Sequence, residues 1–199
     1  MKQLFIDPQR CIGCRACAEA CSECPSHGGY SMIHLDDVAR ATTVQTAPTV
    51  CMHCDEPACA SVCPADAIHK GLDGVVHTAM TERCIGCSNC VTACPFGVPK
   101  YEIRLDLMMK CDLCYDRTSQ DLKPMCATVC PSGALFYGTR AEVEDLRQAQ
   151  PRNVFRFGDE FVRTLNHYMV PAYHQHIAVG AADSAIGTVA EQCLAEAIA

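Results

Sequence analysis

The amino-acid sequence predicts an α+β fold of small, loop-rich units held together by inorganic groups rather than by a large apolar core. Three observations carry this expectation. Eighteen of the 199 residues are cysteine, a density found in stapled or metal-bound scaffolds. Sixteen of them fall into four groups of four. The hydrophobic share of 49% counts those cysteines. Without them it drops to roughly 40%, with no Trp and only six Phe and six Tyr, which is thin for an ordinary packed interior.

In chain order, Phe5-Ile6 reads as a short strand ahead of the first group, Cys11-x2-Cys14-x2-Cys17-x3-Cys21. The second group is Cys51-x2-Cys54-x4-Cys59-x3-Cys63-Pro64. Ala65-Asp66-Ala67-Ile68 then reads as a helical turn running into a short strand. Val75-Val76-His77 reads as another, after an Asp73-Gly74 turn. The third group is Cys84-x2-Cys87-x2-Cys90-x3-Cys94-Pro95. The fourth is Cys111-x2-Cys114, a longer gap, then Cys126-x3-Cys130-Pro131. Ser132-Gly133-Ala134-Leu135 repeats the turn and strand of the second group. Proline after the last cysteine fixes φ and stops the preceding helix.

Residues 146–199 differ in character. Phe155 and Phe157 alternate as in a strand, and Phe161, Leu165, Tyr168 and Met169 continue the apolar pattern. From Ser184 onward, Ile186, Val189, Ala190, Cys193, Leu194, Ala197 and Ile198 share one helical face. So small a chain offers that stripe little core, and docking onto a larger subunit is its expected use.

The net charge of −7 argues against nucleic acid as a partner, since phosphate contacts need clustered Lys and Arg. No membrane span is expected. The longest stretch free of Asp, Glu, Lys and Arg, Thr164 to Ala182, contains Asn166, Pro171, Gln175 and three histidines. The N-terminal residues lack a charged segment followed by a long apolar run, so the expected location is cytoplasmic, where thiols stay reduced. Export alongside a signal-bearing partner stays open.

Three chemistries compete for the cysteines. Disulfides belong to secreted chains and do not explain the short regular spacings. Structural zinc needs two Cys pairs separated by a loop, not four cysteines in one short run; it could explain the first half of the fourth group but not the third group. Iron–sulfur ligation fits: Cys-x2-Cys-x2-Cys-x3-Cys-Pro is the bacterial ferredoxin signature, and residues 84–95 match it at every position. A 4Fe–4S cube needs one thiolate on each iron. Three closely spaced cysteines on a tight loop reach three corners. The fourth, at the start of a helix or turn, points away, and in two-cluster ferredoxins it ligates the other cube. The groups are therefore expected in pairs.

Residues 3–140 resemble the four-cluster iron–sulfur subunits of the dimethyl sulfoxide reductase-type molybdenum or tungsten oxidoreductases. The resemblance rests on Cys51-Met52-His53-Cys54-Asp55-Glu56-Pro57-Ala58-Cys59 with Cys63-Pro64, on the run Cys84 to Pro95, on Lys110-Cys111-Asp112-Leu113-Cys114-Tyr115-Asp116-Arg117, and on Pro124-Met125-Cys126-Ala127-Thr128-Val129-Cys130-Pro131. It implies four 4Fe–4S clusters. Cys11, Cys14 and Cys17 would share a cube with Cys130, and Cys111, Cys114 and Cys126 one with Cys21. Cys51, Cys54 and Cys59 would take Cys94, and Cys84, Cys87 and Cys90 would take Cys63. It implies tandem ferredoxin-like units, one inserted in the other: 1–45 with 108–145 outside, 46–107 inside, and 146–199 as an extension for partner docking. The implied role is non-catalytic: an electron wire between a molybdenum- or tungsten-pterin catalytic subunit, facing the Cys11 end, and a second redox partner. A free polyferredoxin shuttle, a hydrogenase electron-transfer subunit and a cluster-based sensor are the alternatives. A sensor should carry a signalling module, and none is visible.

One departure from the pattern concerns Cys21, which precedes Ser22, whereas Cys24 precedes Pro25. Spacing favours Cys21 as the ligand, with Cys24 a buried thiol beside the cube. His53 is expected to pack or hydrogen-bond around the second group rather than ligate. His167, His174 and His176 are expected at a surface or interface. Arg10, Arg15, Arg83, Lys100 and Lys110 flank the groups. Four cubes of charge about −2 each would bring the chain to about −15, and nearby cations should offset that field. No catalytic constellation is visible.

Overall fold

The structure is a computed structural model that describes residues 2–39 and 44–170. The helical stripe from Ser184 to Ile198, with Cys193, and the histidines His174 and His176 lie outside the described residues.

A four-stranded sheet organises the chain, with strand order β6-β1-β8-β7. Its inner strand β1 (Gln3–Ile6) buries Leu4, Phe5 and Ile6 completely, as a short apolar run must when both faces are covered. It pairs antiparallel with β6 (Leu135–Gly138) and parallel with β8 (Glu160–Val170). β7 (Gln150–Phe157) folds back antiparallel on β8 through a turn at Gly158, whose φ of 60° suits glycine.

Two further ladders lie beside the sheet. β2 (His34–Ala39) pairs with β3 (Val44–Thr49), and β4 (Lys100–Glu102) with β5 (Leu107–Met109). Four short helices carry cysteines: α1 (Ala16–Ser22), α2 (Ala58–Ser61), α3 (Asn89–Ala93) and α5 (Met125–Val129). Each starts one residue before the third cysteine of its group. α1 packs on α5, and α2 on α3, so the first group meets the fourth and the second meets the third. α4 (Tyr115–Thr118) follows Cys114, and α6 (Arg140–Leu146) starts at a Thr139–Glu142 capping box.

Two expectations are corrected. Val75-Val76-His77 is not a strand: only Val76 bridges, to Lys70, because the chain reverses at once through the Gly71–Gly74 turn. Residues 150–170 are not a separate extension. They supply two of the four strands of the main sheet, and Phe155 packs edge-on against Phe96 and Tyr168. Burying β1 requires a neighbour on its open edge, and β8 is that neighbour.

Candidate metal centres

Each Cys-x2-Cys loop places a left-handed residue immediately before its second cysteine: Gly13 (φ 68°), His53 (φ 50°), Gly86 (φ 64°) and Leu113 (φ 63°). Such a residue curls successive backbone N–H groups inward, the geometry of an anion-binding nest. Glycine takes this conformation freely at two loops, whereas His53 and Leu113 take it with their side chains buried.

The third cysteine of each group sits in the first turn of its helix and the fourth at or near the helix end. Cys94 and Cys130 are helix C-caps that open turns. The four loops and four helix ends gather the cysteines as follows. Cys11, Cys14 and Cys17 line a cavity together with Cys130. Cys84, Cys87 and Cys90 line another with Cys63. Burial, and then the neighbouring Cys51, Cys94 and Cys59, push the Cys54 thiol up to about 12. The Cys59 thiol is pushed up to about 11 by burial, with Lys110 opposing and Cys51 and Cys94 adding. Burial raises Cys111 well above the thiol range, helped by Cys51 and Cys21. It raises Cys126 as well, with Cys21 and Cys17 contributing. In both cavities the fourth sulfur comes from a different group. Cys63 runs the other way: N–H groups of Ala67, Ala65 and Ile68 outweigh its desolvation and lower it.

The donor chemistry fits iron–sulfur cubes. Neither cavity wall contains a carboxylate or imidazole; besides thiols they present mainly Ala, Ile, Leu, Pro and Met side chains. Soft thiolate donors in an apolar wall select iron–sulfur or zinc, and four cysteines in one short run, as in the groups that line these two cavities, fit iron–sulfur rather than zinc. His53 adds a second fit. Its Nδ1 accepts the Val76 N–H at 2.9 Å, so the proton of the neutral ring is on Nε2. That buried Nε2–H has no partner among the described residues, and cluster sulfide is the kind of acceptor it lacks.

Cys21 and Cys24 both approach the fourth group. The Cys21 sulfur accepts the Met32 N–H at 3.2 Å and lies 3.3 Å from His27 Nδ1. Cys24 lies beside Cys114 and His27, and its thiol donates to the Asp116 carboxylate at 3.4 Å. The flanking cations separate by burial: Arg10, Arg15 and Arg83 are exposed, Lys100 is half-buried, and Lys110 is buried.

The second group is clamped by β8. The Leu165 N–H donates to His53 O at 2.9 Å and the Asn166 N–H to Met52 O at 3.2 Å. The Asn166 amide donates to Cys51 O at 2.8 Å and accepts the Leu4 N–H at 3.2 Å. Asn166, 0% exposed, therefore ties the sheet to a cysteine loop. Sequence patterning missed it, because a buried Asn looks like a loop residue. His167 is likewise corrected: it is buried and stacks on Phe5 at 5.0 Å, neither at a surface nor at an interface.

Fold and donor set together define a ferredoxin-type protein that binds 4Fe–4S clusters. A family model described as a 4Fe-4S dicluster domain matches residues 42–140, and one described as a 4Fe-4S binding domain matches residues 2–23. The chain is 36% identical over 162 residues to the probable anaerobic dimethyl sulfoxide reductase chain YnfG of Escherichia coli (strain K12), covering 72% of this chain and 75% of that one. A second anaerobic dimethyl sulfoxide reductase chain of the same organism matches with the same identity and coverage. Its nitrate-inducible formate dehydrogenase iron-sulfur subunit is 32% identical over 192 residues, 85% of this chain and 65% of that one. The chain belongs to this family of iron–sulfur electron-transfer subunits of molybdenum oxidoreductases, and it is a non-catalytic member of an oxidoreductase complex. No helix among the described residues is long and apolar enough to cross a membrane.

Proposed function

We propose that the chain holds four 4Fe–4S clusters and works as an electron wire between a molybdenum- or tungsten-pterin catalytic subunit and a second redox partner. The observation that carries the reading is the pair of cavities in which three cysteines of one group meet a fourth from another, with the helices of the four groups packed in the same pairs. The ligand sets are Cys11, Cys14, Cys17 and Cys130; Cys111, Cys114, Cys126 and Cys21; Cys51, Cys54, Cys59 and Cys94; and Cys84, Cys87, Cys90 and Cys63. Bound there, the cubes supply one-electron transfer.

The chain's own contribution is position and surroundings. Cys17, of the first set, acts electrostatically on Cys126 of the second, and Cys51, of the third, on Cys111 of the second. Packing of α2 on α3 joins the third to the fourth. In this reading the first and fourth sets end the wire. Among the described residues the exposed cysteines are Cys14 and Cys87, one in each of those end sets, beside Ile12 and Ile85, each 66% exposed. Such ends suit contact with partners, and the Cys14 end is the one assigned to the catalytic subunit. In domain terms, 1–45 with 108–145 form an outer unit around 46–107. Docking by the C-terminal segment is confined in this proposal to residues 171–199.

Anaerobic affinity isolation of the full chain from its native cells tests the reading. A co-purifying subunit rich in molybdenum or tungsten is expected. Isolation of a fully loaded chain with neither metal at any yield would favour a free shuttle.

A further inference from the structure

Lys110 is only 2% exposed and lies between the second and fourth cysteine groups. Its ammonium donates to Val76 O and, at 2.9 Å, to Cys111 O, and it stands 3.6 Å from the Cys51 sulfur. Three protons meet three acceptors, which satisfies a charged ammonium. Among the described residues no carboxylate pairs with it. The acidic neighbour Asp112 is engaged by His27 Nε2 at 3.1 Å. A buried cation held by carbonyls alone is costly, and interiors keep one only where negative charge answers it. The negative charge available here is on sulfur. Cys51 and Cys59 feel the lysine from one proposed ligand set, and Cys111, whose carbonyl it binds, belongs to the next.

We propose that Lys110 is the shared counter-charge of the two central clusters and raises both of their reduction potentials. The inference rests on the four-cluster reading above. A fixed positive charge in a low-dielectric site favours the state with one more electron, and it acts on whichever neighbour carries that electron. Placed between the two, it lowers the cost of adding an electron to either one, and the repulsion between the two clusters adds to that unchanged. No proton moves and no bond forms; one electron supplied by the redox partner is the only charge transferred. The exposed Arg10, Arg15 and Arg83 cannot act in this way, because water screens them.

The test uses the full chain isolated anaerobically with its partner, as wild type and as Lys110→Met, Lys110→Gln, Lys110→Arg and Arg83→Gln. Iron content and the midpoint potentials from EPR-monitored redox titration are measured on each. Two of four potentials should fall in the Met and Gln variants while the other two stay in place. The Arg variant should lie near wild type, and Arg83→Gln should shift none. If the Met and Gln variants instead lose the iron of two clusters and Arg retains it, the same counter-charge role acts at assembly and the proposal stands. Unshifted potentials, a uniform shift of all four, or an Arg variant that behaves like Met would overturn it. Fewer than four clusters in the wild type would overturn the four-cluster reading itself and this inference with it, an outcome visible before any variant is compared.

Discussion

Cys21 and Cys24 sit three residues apart and are both buried, yet their sulfurs have different neighbours. The Cys21 sulfur accepts the Met32 N–H, as a sulfur free to ligate can, while the Cys24 thiol donates a hydrogen bond to the Asp116 carboxylate. Cys24→Ala should therefore keep the full iron complement, and Cys21→Ala should lose about a quarter of it, as read by iron analysis of anaerobically purified protein. Equal losses in both variants would return the ligand to either residue. Asn166 makes a different kind of contribution. Replacing it with Leu leaves the Leu4 N–H and the Cys51 carbonyl without their partner in the interior, at a cost of about 2 kcal/mol. Denaturant melts of the loaded protein should show that loss together with earlier release of iron. At this scale the sequence was informative wherever chemistry fixes local spacing, as in the cysteine runs. It was silent about Asn166, misplaced His167, and named Lys110 only as one of five flanking cations. Each is a polar residue held mainly by partners far away in the chain, and nothing nearby distinguishes it from a solvated one.

Among the elements, β8 is the one whose role spacing could not reveal. It closes the open edge of β1 and clamps the second cysteine loop, almost entirely through backbone groups that leave no pattern in side chains. Truncation after Ala149 should therefore cost iron as well as stability, whereas truncation after Val170 should leave iron content near that of the full chain and weaken co-purification with the catalytic subunit. Metal analysis beside pull-down yield separates the two. Iron loss on truncation after Val170 would extend the structural role beyond that residue. Helix α6 and the sheet are fixed by a second long-range contact, the buried pair of Arg147 with Asp7 at 2.9 Å. Burial pushes the Asp7 carboxyl up, and Arg147 opposes that shift. Arg147→Met removes the cation and strands the carboxylate, which should destabilise the fold by about 3 kcal/mol. The strands at Phe5-Ile6 and Phe155–Phe157 were legible because alternation and apolar runs report burial directly. The Val75 strand was misjudged because two valines after a turn look the same whether or not the chain has length to pair.

For the whole molecule, cysteine takes the place that large apolar side chains hold elsewhere. Buried cysteines from all four groups lie in the main core cluster, beside Leu4, Ile6, Ile68 and Phe155. Such a core is complete only when metal joins the sulfurs, so chelating the iron should abolish the cooperative melt of the cysteine-rich region. Circular dichroism before and after chelation measures this, and native helix and strand signal surviving without iron would show that side-chain packing suffices. The composition announced this architecture, because so many thiols and so few aromatics leave little else to hold a chain of this length together. The relation of this molecule to its partners was legible only through resemblance, since the same sites would serve many catalytic subunits. The central claim, four cubes in one chain, is tested most directly by counting iron and acid-labile sulfide in the anaerobically purified full-length protein. About sixteen of each per chain is the expected result; about eight, or zinc in place of iron, would contradict it.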